Sequence, residues 1–154
     1  MPPPDGPTDD DAALMAAALA ARGRAHAPYS RFRVGAALRC ADGAVVAGCN
    51  VENLSYGATI CAERAAVVAA VASGRTRFAA LAVAGPEGVA IAPCGVCRQV
   101  LSEFSPDGRL RVLLRGADGG AAETTLGALL PGPFEAASLR AGGGGGGDGG
   151  AVPG

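Results

Sequence analysis

Two short stretches of this 154-residue chain carry most of its potential for chemistry, Cys61-Ala62-Glu63 and Pro93-Cys94-Gly95-Val96-Cys97. Thiolates bind soft cations, and a carboxylate can move a proton. Cys94 and Cys97 are three residues apart, so at the start of a helix they share one face. Each stretch opens a segment of helical pattern, where free N–H groups and the partial positive charge of the helix end favour thiolate over thiol. Two helices docked tip to tip bring Cys61 to the same point. Three converging thiolates then make a zinc site with one coordination position open. Glu63 can reach that position and act as a proton shuttle. Taken singly, each stretch has a plainer reading. A first-turn Glu can merely complement the helix dipole, and a C-x-x-C can belong to a structural zinc site. Such a site needs a fourth ligand, with Cys40, Cys49 and the sole histidine, His26, as spare candidates. Cys40 and Cys49 lie in strand-like segments and read as core thiols.

The elements that must position these residues follow from the apolar pattern. Residues 9–25 predict a helix with Leu14, Met15, Ala18 and Leu19 along one stripe, opened by Asp9, Asp10 and Asp11. Residues 33–39 and 44–49 predict two strands joined by a turn at Asp42-Gly43. A polar loop over 50–60 leads into a helix over 61–73, stopped by Gly74. The apolar run 78–84 reads as a strand covered on both faces. A helix over 95–104, a strand over 110–115 and short helical turns over 125–130 and 133–139 complete the order. This succession implies an α/β fold, a three-layer α/β/α sandwich around a mixed sheet of roughly five strands.

Composition narrows the field. Apolar residues are 49% of the chain and charged residues 18%, which suits a folded core. Nine of the 25 glycines fall in the last fourteen residues, and four of the eleven prolines in the first seven. The expected organisation is a catalytic domain over 9–140 between disordered tails at 1–8 and 141–154. Thirteen basic residues, all arginine, against fourteen acidic ones leave a net charge of −1 and no basic run, which argues against a nucleic-acid polymer as partner. No apolar stretch is long enough for a membrane span. Aspartates precede the apolar run 12–21 where a secretory signal carries positive charge, so the chain reads as cytoplasmic.

In addition to its chemistry, the sequence resembles the small homotetrameric, zinc-dependent cytidine deaminases between about Tyr29 and Phe134. The resemblance is carried by Ala27-Pro28-Tyr29-Ser30-Arg31-Phe32-Arg33-Val34-Gly35, Asn50-Val51-Glu52-Asn53-Leu54-Ser55-Tyr56, Cys61-Ala62-Glu63-Arg64, Pro93-Cys94-Gly95-Val96-Cys97-Arg98 and Leu129-Leu130-Pro131-Gly132-Pro133-Phe134, in family order. It implies one Zn²⁺ per chain on Cys61, Cys94 and Cys97, with Glu63 shuttling protons during hydrolytic deamination of cytidine and 2′-deoxycytidine in pyrimidine salvage. It also implies that Arg64 offsets the charge of three thiolates, with Arg98 a second candidate. Asn50 and Glu52 are expected to bind the ribose hydroxyls, Phe32 to pack on the base and the backbone near Ala62 to meet its edge. Phe134 and Tyr56 are expected to reach a neighbouring subunit's site. Leu54 stands where the family usually has a small residue, and Ala92 where it often has Ser. Blasticidin deaminases share both cysteine segments, but residues 50–56 and Arg64 favour the cytidine enzymes. Polynucleotide-editing deaminases usually place His where this chain has Cys61.

Overall fold

The structure, a computed structural model, describes residues 8–115 and 118–142. Its first helix, α1 (Asp9–Arg22), begins at a reciprocal cap: the Thr8 hydroxyl accepts from the Asp11 amide, and the Asp11 carboxylate accepts from the Thr8 amide. The expected helix ran three residues further. It stops earlier because the following backbone is claimed elsewhere, with the His26 amide donating to Asn50 O and the Glu52 amide to His26 O.

Strand β1 (Gly35–Cys40) pairs antiparallel with β2 (Val45–Cys49) through the expected turn, where Gly43 takes a φ of +84° and the Asp42 carboxylate accepts from the Ala44 amide. β1 starts two residues later than expected, since the Val34 amide turns to the side chain of Asn50. Helix α2 (Ala62–Ala72), strand β3 (Phe78–Ala84), helix α3 (Gly95–Glu103) and strand β4 (Arg111–Arg115) follow as anticipated. Beyond them come β5 (Ala121–Thr125), α4 (Leu126–Leu129) and α5 (Ala136–Gly142). β5 has no counterpart in the sequence reading. Its side chains are mostly exposed and show no apolar alternation, so only its pairing with β4 defines it. The remainder of both expected tails, residues 1–7 and 143–154, lies outside the described residues.

The sheet order is β2-β1-β3-β4-β5, mixed, with β3 and β4 parallel and the other pairs antiparallel. Alternation along the strands builds two cores. Ala37, Ala80, Ala82, Ala84 and Leu113 face α1, while Leu38, Leu81, Val83 and Val112 face α2 and α3. The expected three layers are therefore present. Small residues let the layers press close. A Cβ on Gly48 of β2 would sit 2.4 Å from the Ala66 amide nitrogen, so α2 can lie this near the sheet only over a glycine.

Because β1 opposes both β2 and β3, those two strands run the same way, and their carboxyl ends share one edge of the sheet. Asn50 follows β2 there, and the segment carrying Cys94 follows β3. α2 and α3 both start at that edge, the usual place for a ligand site in such a sheet.

Candidate active site

Cys61 is the residue immediately before α2, and Cys94 the one immediately before α3, so each sulfur sits over unpaired helix N–H groups. Cys97, in the first turn of α3, is fully buried beneath them. All three Sγ atoms lie within 4.8 Å of one another, with Cys61 to Cys94 at 3.9 Å and Cys94 to Cys97 at 3.5 Å. A zinc ion about 2.3 Å from each sulfur in tetrahedral geometry spaces the sulfurs by about 3.8 Å, so the donor set fits that ion without rearrangement. The spare candidates for a fourth ligand are not part of this group: Cys40 is in the core, Cys49 is half-buried rather than in the core, and His26 bridges to Val51 through its backbone.

The electrostatics of the cluster favour thiolate at Cys61. Hydrogen bonding from the Cys97 thiol, helped by Arg64, lowers the Cys61 pKa to about 5 despite partial burial. The same shared proton, with burial added, pushes the Cys97 thiol up. Arg64 Nη2 donates to Cys61 Sγ at 3.8 Å and to Thr59 O at 3.2 Å. Its Nε is buried with no hydrogen-bond partner, leaving a positive group without a full complement of acceptors beside the sulfurs. A cation donating to Cys61 Sγ favours the thiolate form that a metal requires. Arg98 does not share this task. Its guanidinium donates to Pro93 O and Leu129 O, both at 2.7 Å, and so braces the segment before Cys94 against the end of α4.

Glu63, at the second position of α2, is only 4% exposed. Burial pushes its carboxyl above the ordinary value, and the charge of Cys61 adds to this. A carboxyl whose pKa is raised by burial beside a metal-binding cluster is suited to giving and taking protons.

Cys61, Cys94, Ala62 and Glu63 open onto a cleft of about 430 Å³ whose other wall includes Phe32, Asn50 and Glu52. The Asn50 side chain accepts from the Val34 amide and donates to Phe32 O, each at 2.8 Å, which leaves one donor and one acceptor for a ligand. Glu52 accepts from the Tyr29 amide at 2.9 Å, the Ser30 amide at 3.2 Å and the Ser30 hydroxyl. The sequence reading gave Ser30 no role beyond its place in the stretch 27–35, and only its hydroxyl type hinted that it could tie a loop to a carboxylate 22 positions away. A second, outer cleft of about 320 Å³ adjoins through Ser30, Glu52 and Thr59, and its wall is a tilted stack of Tyr29 on Tyr56 with ring centres 5.8 Å apart. Two expected site residues stay away from the inner cleft. Tyr56 is 73% exposed at the outer one, and Phe134 is 62% exposed beside α3, its backbone gripped by the Gln99 side chain.

Comparison with known proteins agrees with this geometry. The family model described as "Cytidine and deoxycytidylate deaminase zinc-binding region" matches residues 8–112. A cytidine deaminase from Sporosarcina psychrophila is 46% identical over 126 residues, covering 82% of this chain and 92% of that one. The crystal structure of cytidine deaminase from Burkholderia pseudomallei superposes with a TM-score of 0.75 at 51% identity, covering 80% of this chain and 98% of its own. A blasticidin-S deaminase from Bacillus cereus is more distant, 29% identical over 110 residues, covering 66% of this chain and 76% of that protein. With three clustered thiols and a buried glutamate at one cleft floor, and with likeness to such enzymes along most of its length, the chain belongs to the zinc-dependent cytidine and deoxycytidylate deaminase family.

Proposed function

We propose that the protein hydrolyses cytidine and 2′-deoxycytidine to uridine and 2′-deoxyuridine, with water consumed and ammonia released. The observation that carries this reading is the single cleft onto which the Cys61 and Cys94 sulfurs, Glu63, Asn50 and Glu52 all open. Zinc held by Cys61, Cys94 and Cys97 supplies a Lewis acid that makes water a nucleophile at neutral pH. Glu63 takes the proton given up by the attacking water and delivers it to N3 of the cytosine ring. It then takes the remaining proton from the hydroxyl added at C4 and passes it to the amine, so the C4–N bond breaks, ammonia leaves and a C4 carbonyl remains; one carboxyl serves both half-steps. Arg64 holds charge opposite the thiolates through its contact with Cys61. Phe32 walls the base, the free amides of the first turn of α2 at Ala62 meet its edge, and Asn50 with Glu52 binds the sugar hydroxyls.

The test is zinc content and cytidine turnover on one sample. One zinc per chain with loss of the cytidine absorbance band is expected, and zinc-loaded protein that deaminates neither nucleoside overturns the reading.

The family resemblance supports three finer proposals: a role in pyrimidine salvage, a cytoplasmic location, and a homotetramer in which Tyr56 and Phe134 serve a neighbouring cleft. The exposure of those two rings away from their own inner cleft supports the last. Light scattering that returns a monomer mass removes it. Among the described residues no helix is long and apolar enough to cross a membrane.

A further inference from the structure

We infer that Ser30 is a positioning residue for sugar recognition, holding the Glu52 carboxylate and the Phe32 wall as one unit so that Glu52 presents a single free acceptor to the nucleoside. The inference rests on the substrate class proposed above.

An ionised carboxylate has about four lone-pair sites. In Glu52 the Oε2 atom accepts from two backbone amides, those of Tyr29 and Ser30, while Oε1 accepts from the Ser30 hydroxyl. Three sites are thus occupied by the loop that carries Phe32, and the fourth remains on a side chain that lines the inner cleft. The side chain is not free to swing towards whichever hydroxyl arrives. It is oriented before binding, which is how a sugar contact gains strength without an ordering cost.

The Ser30 hydroxyl has a second bond. Its oxygen accepts from the Phe32 amide at 2.9 Å, a turn closed by the side chain over two residues. Between the two lies Arg31 with a φ of 58°, the only non-glycine residue with positive φ among the described residues. A left-handed arginine persists only where its neighbours fix it. Here the Arg31 amide is held by Ala27 O at 3.0 Å, and Ser30 bonds on one side to Glu52 and on the other to Phe32. The Asn50 side chain closes the arrangement by donating to Phe32 O. Base wall and sugar acceptor are therefore mechanically linked, with the Ser30 hydroxyl as the link nearest the sugar. The Ser30 bond also holds the Glu52 carboxyl below its ordinary value, so it stays an acceptor across the neutral range.

Neither the sulfur cluster nor Glu63 touches Ser30, so the predicted defect falls on binding and not on the chemical step. In zinc-loaded protein, Ser30→Ala should raise KM for cytidine about tenfold while kcat stays within about twofold. The inhibition constant of 2′,3′-dideoxycytidine against cytidine turnover should rise by clearly less, because that nucleoside lacks the 2′- and 3′-hydroxyls and meets only the loosened Phe32 wall. Ser30→Thr keeps the hydroxyl and should recover most of the lost affinity. The inference is overturned by an unchanged KM in Ser30→Ala, by equal weakening of cytidine and the dideoxynucleoside, by a fall in kcat alone, or by a Thr variant no better than Ala. Wild-type protein that is inert towards cytidine is a different failure, since it removes the proposed substrate and this inference with it.

Discussion

A carboxyl as buried as Glu63 is worth less to the fold than a neutral group of the same shape. Its pKa is raised in the folded protein by burial, so the folded state holds the proton more tightly than the unfolded chain does. Stability from this group is therefore present at low pH and declines as pH rises past the ordinary carboxyl value. Glu63→Gln should raise the melting temperature of metal-free protein at neutral pH while lowering kcat by about 10²–10⁴-fold with zinc still bound. Calorimetry of the metal-free variant and turnover of its zinc-loaded form check the two halves, and an active glutamine variant removes Glu63 from the proton path. At this scale the sequence was most readable where function is local. The C-x-E and C-x-x-C spacings fix side-chain directions within a turn of helix, and the structure brings those residues together. Ser30 was illegible because its meaning lies in a partner on another loop. The choice between Arg64 and Arg98 as the partner of the thiolates was open for a related reason: the contacts of Arg98 with Pro93 O and Leu129 O lie outside any local pattern.

The position of the metal-binding cluster depends on how closely α2 lies against β2. Gly48 is the point of contact, where an added Cβ would meet Ala66 N at 2.4 Å and Ala62 O at 2.8 Å. Both atoms are backbone, so neither can step aside by changing rotamer. Gly48→Ala should therefore cost about 1–3 kcal/mol of stability. It should also lower zinc content, because displacing the first turn of α2 moves Cys61 and Glu63 away from Cys94. Chemical denaturation with metal analysis tests this, and an unchanged protein by both measures refutes the dependence. Most elements were readable from period and punctuation, notably the apolar strand Phe78–Ala84 and the Asp42-Gly43 turn. Element ends were not, since α1 and β1 are trimmed by hydrogen bonds to Asn50 and Glu52 that local pattern does not contain. β5 was missed altogether because an exposed edge strand needs no apolar face.

Across the whole molecule, one ionic knot ties the beginning of the chain to its far edge. Asp11 in α1, almost fully buried, accepts from Arg111 of β4 at 3.0 and 3.2 Å and from Arg39 of β1 at 3.4 Å, and Arg111 also grips Glu123 of β5. Arg111 lowers the Asp11 carboxyl from 3.8 to about 2. A lowered carboxyl pKa gives stability that is complete above the unfolded value and is lost as pH falls through the folded one. The contribution is about 2 kcal/mol, fading between about pH 4 and pH 2. Asp11→Asn should show that deficit in denaturation at pH 7 and converge with wild type near pH 2. A constant gap at both pH values sinks the argument. None of this knot was visible beforehand, since the sequence reading saw in Asp11 only a helix-capping charge.

The Tyr29–Tyr56 stack has a practical consequence as well. The chain has no tryptophan and only these two tyrosines, and both stand at the mouth of the cleft on the loops that Glu52 joins. Its intrinsic ultraviolet emission therefore arises almost entirely from one small region. If nucleosides enter by this cleft, tyrosine emission should change on their binding without any label, while remaining nearly silent about events in the rest of the sheet.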